Sequence, residues 1–219
     1  KMCYNKYVLE RGNYTYKSTQ MLERSWLQLF NIGDNIVYPM HGAGTISSIE
    51  EKEILGEKQQ YYIIKMPGEV MVMVPTAKAE AMGVRSVIDE KSANSVLQVL
   101  EKDETEMSNN WNKRYRENLD KMKTGNIYEV ADVVRNLSFK QKEKGSLSTG
   151  EKKMLLNAKQ ILVSELVLAE HSSKEEIEKL IDNKIDMSYK EYRVPTEAKI
   201  DLQQNAVNKF IPFNGVANA

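Results

Sequence analysis

The 219-residue chain carries one cysteine, Cys3, so it can build neither a disulfide framework nor a cysteine-rich zinc site. Its two histidines, His41 and His171, lie far apart with no ligand-like spacing. Positive charge is not in excess: 31 Lys and Arg face 31 Asp and Glu, which excludes a histone-like binder that grips nucleic acid through bulk charge. No apolar stretch approaches the ~18 residues that would argue for a membrane span. Five prolines and eleven glycines are too few for a collagenous or wholly disordered chain. These absences point to a soluble protein of a reducing compartment.

Catalytic signatures are missing as well. The sequence has no Walker-type phosphate loop, no GxGxxG after a strand and no HExxH. Gly42-Ala-Gly44 opens no helix and reads as a turn. His41 sits in a turn, and His171 lies at a helix end, where a histidine serves as a C-terminal cap. No carboxylate falls in an apolar stretch that would raise its pKa for acid–base work. The expectation is a protein that is not an enzyme, with no metal, no cofactor and no small-molecule substrate.

The neutral total conceals asymmetry. Residues 111–159 carry a net +6, residues 160–187 a net −4, and residues 29–88 a net −2. A basic segment followed by an acidic one is either a directed electrostatic surface or chance bias on solvated helix faces.

Residues 1–28 lack helical or strand periodicity and read as disordered or as a non-native leader. From Leu29 the pattern is β: Asn35–Tyr38, Thr45–Ile49, Tyr61–Ile64 and Val70–Val74, punctuated by Gly and Pro. Four or five short strands within residues 29–88 predict a small Tudor- or SH3-like barrel. The period then becomes helical. Ala93, Val96, Leu97 and Leu100 form one stripe; Trp111, Tyr115, Leu119 and Met122 a second; Val130, Val133, Val134 and Leu137 a third. Ser148 with Glu151, and Ser173 with Glu176, are capping boxes that open two further helices. The expected fold is α+β in two domains, with an all-α bundle of about five helices over residues 89–187. Residues 188–219 read as a flexible tail whose removal should be silent.

Within Asn109-Asn-Trp-Asn-Lys-Arg-Tyr-Arg116 an aromatic at a helix start is followed by Lys113, Arg114 and Arg116. Basic side chains bind phosphates, and a flat apolar group can wedge against unstacked bases. The bland reading makes Trp111 the largest core residue of its helix.

Several motifs, in order and at matching separations, resemble the CarD/CdnL family of bacterial transcription regulators. They begin with Phe30-Asn-Ile-Gly-Asp-Asn-Ile-Val-Tyr-Pro-Met-His-Gly42, followed by Val74-Pro75 and Gly83-Val-Arg85. Then come Asn110-Trp-Asn-Lys-Arg-Tyr-Arg-Glu-Asn-Leu119, Val130-Ala-Asp-Val-Val-Arg-Asn-Leu137 and Leu147-Ser-Thr-Gly-Glu-Lys-Lys-Met-Leu155. The resemblance implies a Tudor-like domain that docks on the RNA polymerase β subunit. It implies a helical domain that contacts promoter DNA at the upstream fork of the bubble and stabilises the open complex.

On that resemblance Trp111 is the wedge. Arg114, Arg116 and Lys152 match the family's phosphate-holding cations, and Lys113 and Lys153 of the basic segment are expected DNA-binding residues beside them. Lys52, Met71, Met73 and Val74 lie in the polymerase-docking region. Actinobacterial relatives have arginine where this chain has Lys52 and Met73, so the docking surface departs from theirs. Strand alternation allows only one face of Val70–Val74 to be buried, without saying which. The resemblance further implies a cytoplasmic bacterial monomer with no membrane partner. Leu29 stands where family members start with methionine, consistent with a leader over residues 1–28. A competing reading is a protein–protein scaffold without DNA contact, which would bury Trp111 and scatter the positive charge.

Overall fold

The computed structural model describes residues 29–54 and 56–193. The expected leader, and the tail beyond Arg193, lie outside the described residues. Five strands, β1 (Asn35–Tyr38), β2 (Gly42–Ile54), β3 (Glu57–Met66), β4 (Val70–Pro75) and β5 (Arg85–Ser86), form one antiparallel sheet. Its order is β4-β3-β2-β1-β5, so β4 and the two-residue β5 are the edges. Five helices follow: α1 (Glu90–Leu100), α2 (Trp111–Lys123), α3 (Ile127–Lys144), α4 (Thr149–Glu170) and α5 (Lys174–Arg193). The two-part α+β architecture expected from the change of period is present.

The core of the sheet domain is formed by Phe30, Ile36, Ile46, Tyr62, Ile64, Met66, Val74 and Val84. β2 runs longer than its apolar pattern suggests because backbone pairing with β3 continues through the charged stretch Glu50–Glu53. Gly44 is strand rather than turn. A Cβ there would lie 2.5 Å from the Lys65 carbonyl oxygen, so only glycine allows β2 to approach β3 so closely.

A second core fills the helical domain and includes Val96, Leu100, Val133, Val134, Leu137, Leu162, Leu166 and Ile181. All of α1's expected stripe and all of α3's is buried. The Ser148–Glu151 box caps α4 in both directions, and His171 closes the helix in the left-handed conformation.

α2 differs from expectation. Its most buried residues are Arg114, Asn118 and Met122, whereas Tyr115 and Leu119 are half-buried and Trp111 is exposed. The inward face is thus rotated away from the aromatic stripe. α5 also differs, continuing through Ser188 to Arg193 where the sequence reading ends the domain at Met187. Ser188 is buried and its hydroxyl donates to the Lys102 carbonyl at 3.0 Å. Residues 188–193 are therefore part of the bundle rather than of the expected flexible tail.

The two cores are joined through the middle of α4. Glu165, fully buried, accepts from Arg85 Nη1 at 2.5 Å and Nη2 at 2.9 Å, and from Ile88 N at 3.3 Å. Arg85 Nη2 also donates to the Gly125 carbonyl at 2.7 Å. Ser164 Oγ accepts from Ala43 N at 2.8 Å while donating to the Ile161 carbonyl. A buried carboxylate held by a bidentate arginine is destabilising to break, because the remaining partner is left uncompensated. The sheet and the bundle are consequently fixed to each other by named contacts.

Candidate functional site

Asn110 caps α2, its side chain accepting from Lys113 N at 3.1 Å, and Trp111 is the first helical residue. The indole is 43 % exposed yet held on three sides. Its Nε1 donates to Ser148 Oγ at 3.0 Å. Its ring stacks on Tyr115, with centroids 5.3 Å apart and planes inclined by 24°. Beneath the pair lies Gly150 in the first turn of α4, where a Cβ would come within 3.4 Å of both Trp111 Cζ2 and Tyr115 Cε2. An exposed aromatic with a fixed orientation can meet a flat partner without first losing rotamer freedom.

Arg114 points the other way and is only 8 % exposed. Its Nε and Nη2 each lie 2.9 Å from Glu151 Oε1, and its Nη1 donates to the Ser108 carbonyl at 2.7 Å. With its fork committed to these acceptors, the side chain expected as a DNA-binding cation is buried against Glu151 rather than turned to solvent. Glu151 also pairs with Lys140 and accepts from Ser148 Oγ at 2.8 Å. Burial pushes the Glu151 carboxyl up, but hydrogen bonds from Lys140, Ser148 and Arg114 outweigh it and hold the pKa at about 2. The N-termini of α2 and α4 are therefore tied together by Trp111–Ser148 and Arg114–Glu151.

The remaining expected cations face solvent. Arg116, Lys152 and Lys153 are exposed, and no carboxylate among the described residues forms an ion pair with them. Lys113 makes only a 3.8 Å pair with Glu117. By contrast Lys121, Lys140, Lys142 and Lys159 are each paired with an acidic side chain. Among the cations of residues 111–159, the uncompensated ones thus include those on the two helix ends that carry Trp111.

In the sheet, β4 pairs among the described residues only with β3, which leaves its outer edge without a strand partner there. Met71 and Met73 are 51 % and 49 % exposed, which excludes the reading of them as barrel core. Val74 belongs to that core, so its side chain is removed from the expected docking surface. Register places Lys52 opposite Gln59, and Met73 and Met71 opposite Ile63 and Lys65. Residues 59, 63 and 65 alternate onto one face of β3, so Lys52, Met71 and Met73 share a face of the sheet. Lys52 there pairs with Glu50 at 2.7 Å, and the Glu50 carboxyl is held low by hydrogen bonding to Lys52 and Ser48.

Among the described residues no helix is long and apolar enough to cross a membrane, and no group of three His, Cys, Asp or Glu could hold a metal.

Comparison with known proteins assigns both parts. Residues 30–88 match the family model described as the CarD-like/TRCF RID domain, and residues 95–182 match CarD, C-terminal domain. Over 139 residues the chain is 50 % identical to the Bacillus subtilis (strain 168) protein named "Putative transcription factor YdeB", covering 63 % of this chain and 90 % of that one. The chain belongs to the CarD family of transcription regulators.

Sequence reasoning missed how this CarD-family chain orients its tryptophan. Ser148 and Glu151 are legible as a cap, but nothing local reveals that the cap also receives the indole N–H from 37 residues away. Tyr115 is legible as apolar and not as a stacking partner. A second polar cluster was equally hidden. Fully buried Arg135 pairs with Asp132 and donates to the Val99 carbonyl at 2.9 Å, while Asn136 holds Thr105 through Nδ2 to Oγ1 at 2.6 Å.

Proposed function

We propose that this protein docks on the RNA polymerase β subunit through the outer face of β4 and stabilises the promoter open complex by placing Trp111 against DNA at the upstream fork of the bubble. The observation that carries the reading is a half-exposed indole, clamped by Ser148 and Tyr115, with exposed Arg116, Lys152, Lys153 and the weakly paired Lys113 on the N-terminal turns of the two helices that hold it. Exposed cations supply phosphate contacts, and an immobilised aromatic supplies stacking against an unpaired or unstacked base. A scaffold without DNA contact would bury the tryptophan and pair the cations.

The docking half rests on the open β4 edge. An exposed strand edge offers unpaired backbone groups to an added strand, and flanking methionines offer adaptable apolar contact. Val74 would contribute through its backbone alone. The fixed Arg85–Glu165 junction supports an arrangement in which the DNA end is carried at a set distance from the docking end. The protein acts as a monomer in this reading, because each surface is complete within one chain.

The test is co-purification with the polymerase β lobe, followed by open-complex lifetime on a promoter fragment. Replacing both Met71 and Met73 with Asp should weaken co-purification at least tenfold and leave binding to forked duplex intact. Equal retention would remove β4 as the docking edge. Lys152→Ala should lower the salt slope of DNA binding by roughly one unit, since one phosphate contact is lost. Arg114→Ala should instead lower thermal stability, and a clean loss of salt slope in that variant would return Arg114 to the DNA-facing set.

A further inference from the structure

Residues 101–110, between α1 and α2, have no regular structure, yet they deliver Trp111 to the start of its helix. Such a segment keeps one conformation only if other elements hold it, because each free residue gains backbone entropy by moving. The holding is done mainly by α5. Lys184 pairs with Glu101. Ser188 Oγ donates to the Lys102 carbonyl at 3.0 Å. Arg193 Nη1 meets Asp103 at 2.9 Å, its Nη2 meets Glu104 at 2.8 Å, and its Nε donates to Glu143 of α3 at 2.7 Å. The same guanidinium lies 5.8 Å from the centre of the Phe139 ring, whose edge contact with Tyr189 seats α5 on α3.

Four consecutive segment residues, Glu101 to Glu104, are therefore each gripped by one helix. The grip continues with α3, where Asn136 Oδ1 accepts from Thr105 N at 3.2 Å. It ends with α2 itself, where Arg114 Nη1 holds the Ser108 carbonyl. A lone exposed ion pair contributes little, but one planar guanidinium serving three carboxylates acts as a network.

We propose that the last turns of α5, from Lys184 to Arg193, are a strut that sets the 101–110 segment and thereby the seating of the Trp111 indole, with Ser188 and Arg193 as positioning residues. The effect on open complexes rests on the wedge reading above, whereas the effect on the segment and the indole does not.

The experiment uses the full chain carrying Trp26→Phe, which leaves Trp111 as its one tryptophan. Arg193→Ala should raise amide exchange in residues 103–110 about fivefold or more and increase iodide quenching of Trp111. It should shorten open-complex lifetime two- to fivefold without changing co-purification with polymerase. Lys159→Ala, which breaks the 2.5 Å pair to Asp182 and so loosens α5 without touching the segment, should leave all three readouts at wild-type values. The strut is overturned if Arg193→Ala leaves exchange and quenching unchanged, or if Lys159→Ala moves them equally. If instead Trp111→Ala fails to alter lifetime, the wedge reading falls while exchange and quenching still decide the strut.

Discussion

Trp111→Ala is expected to shorten the lifetime of the open complex by between about fivefold and 150-fold, the range implied by ~1–3 kcal/mol for one aromatic stacked on a base. Polymerase co-purification should stay unchanged, because the proposed docking strand β4 belongs to the other domain. The loss should not be a folding effect. The indole is half exposed, and truncating a residue so placed typically costs about 1 kcal/mol of stability. Two contacts make the effect specific to the indole rather than to bulk. The Ser148 hydroxyl loses its N–H donor, and Tyr115 loses its stacking partner. Trp111→Phe should therefore recover only part of the lifetime, since it keeps a ring but not the anchoring N–H. A folded, polymerase-bound Trp111→Ala protein with wild-type lifetime would exclude the wedge.

Glu151→Gln should lower stability at neutral pH by on the order of 3 kcal/mol, and the deficit should close in acid. The side chain is buried and serves Arg114, Lys140 and Ser148 together. Removing its charge leaves two largely buried cations without compensation, the situation in which breaking an ion pair is strongly destabilising. The pH dependence follows from the direction of the shift. The folded-state pKa is depressed to about 2 from an ordinary 4.5, so the stabilisation is whole above pH 4.5 and is lost as pH falls through about 2. Denaturant unfolding of both proteins from pH 6 to pH 2 measures it. A gap between them that stays constant down to pH 2 would show that hydrogen-bond geometry, not charge, holds the two helix ends. The same variant should loosen Trp111, because Glu151 and the indole share Ser148.

Much of this was legible in the chain, for local reasons. Apolar spacing at 3.6 residues located α1, α3 and α4, and the Ser148–Glu151 pair marked where α4 begins, since a cap satisfies donors within its own turn. The change from strand to helix period separated the two domains. The motif carrying Trp111 was equally readable, because its aromatic and basic residues are consecutive.

Other features depended on distant partners. Arg114 and Arg116 are the same chemistry two positions apart, yet one is buried and the other faces water. The difference is Glu151, which α4 brings beneath α2, and a guanidinium is buried only where a carboxylate supplies its counter-charge. In β4 the alternation of Val72 and Val74 with Met71 and Met73 promised one inward face, but pairing with β3 selected the valines for the core. The end of α5 was hidden in the same way. Ser188 and Arg193 look like the start of a polar tail until the 101–104 carbonyl and carboxylates are placed against them. Periodicity acts within a turn or a strand and so is written along the chain; the burial of a polar group is set by whichever remote residue satisfies it, and that pairing exists only once the helices have packed.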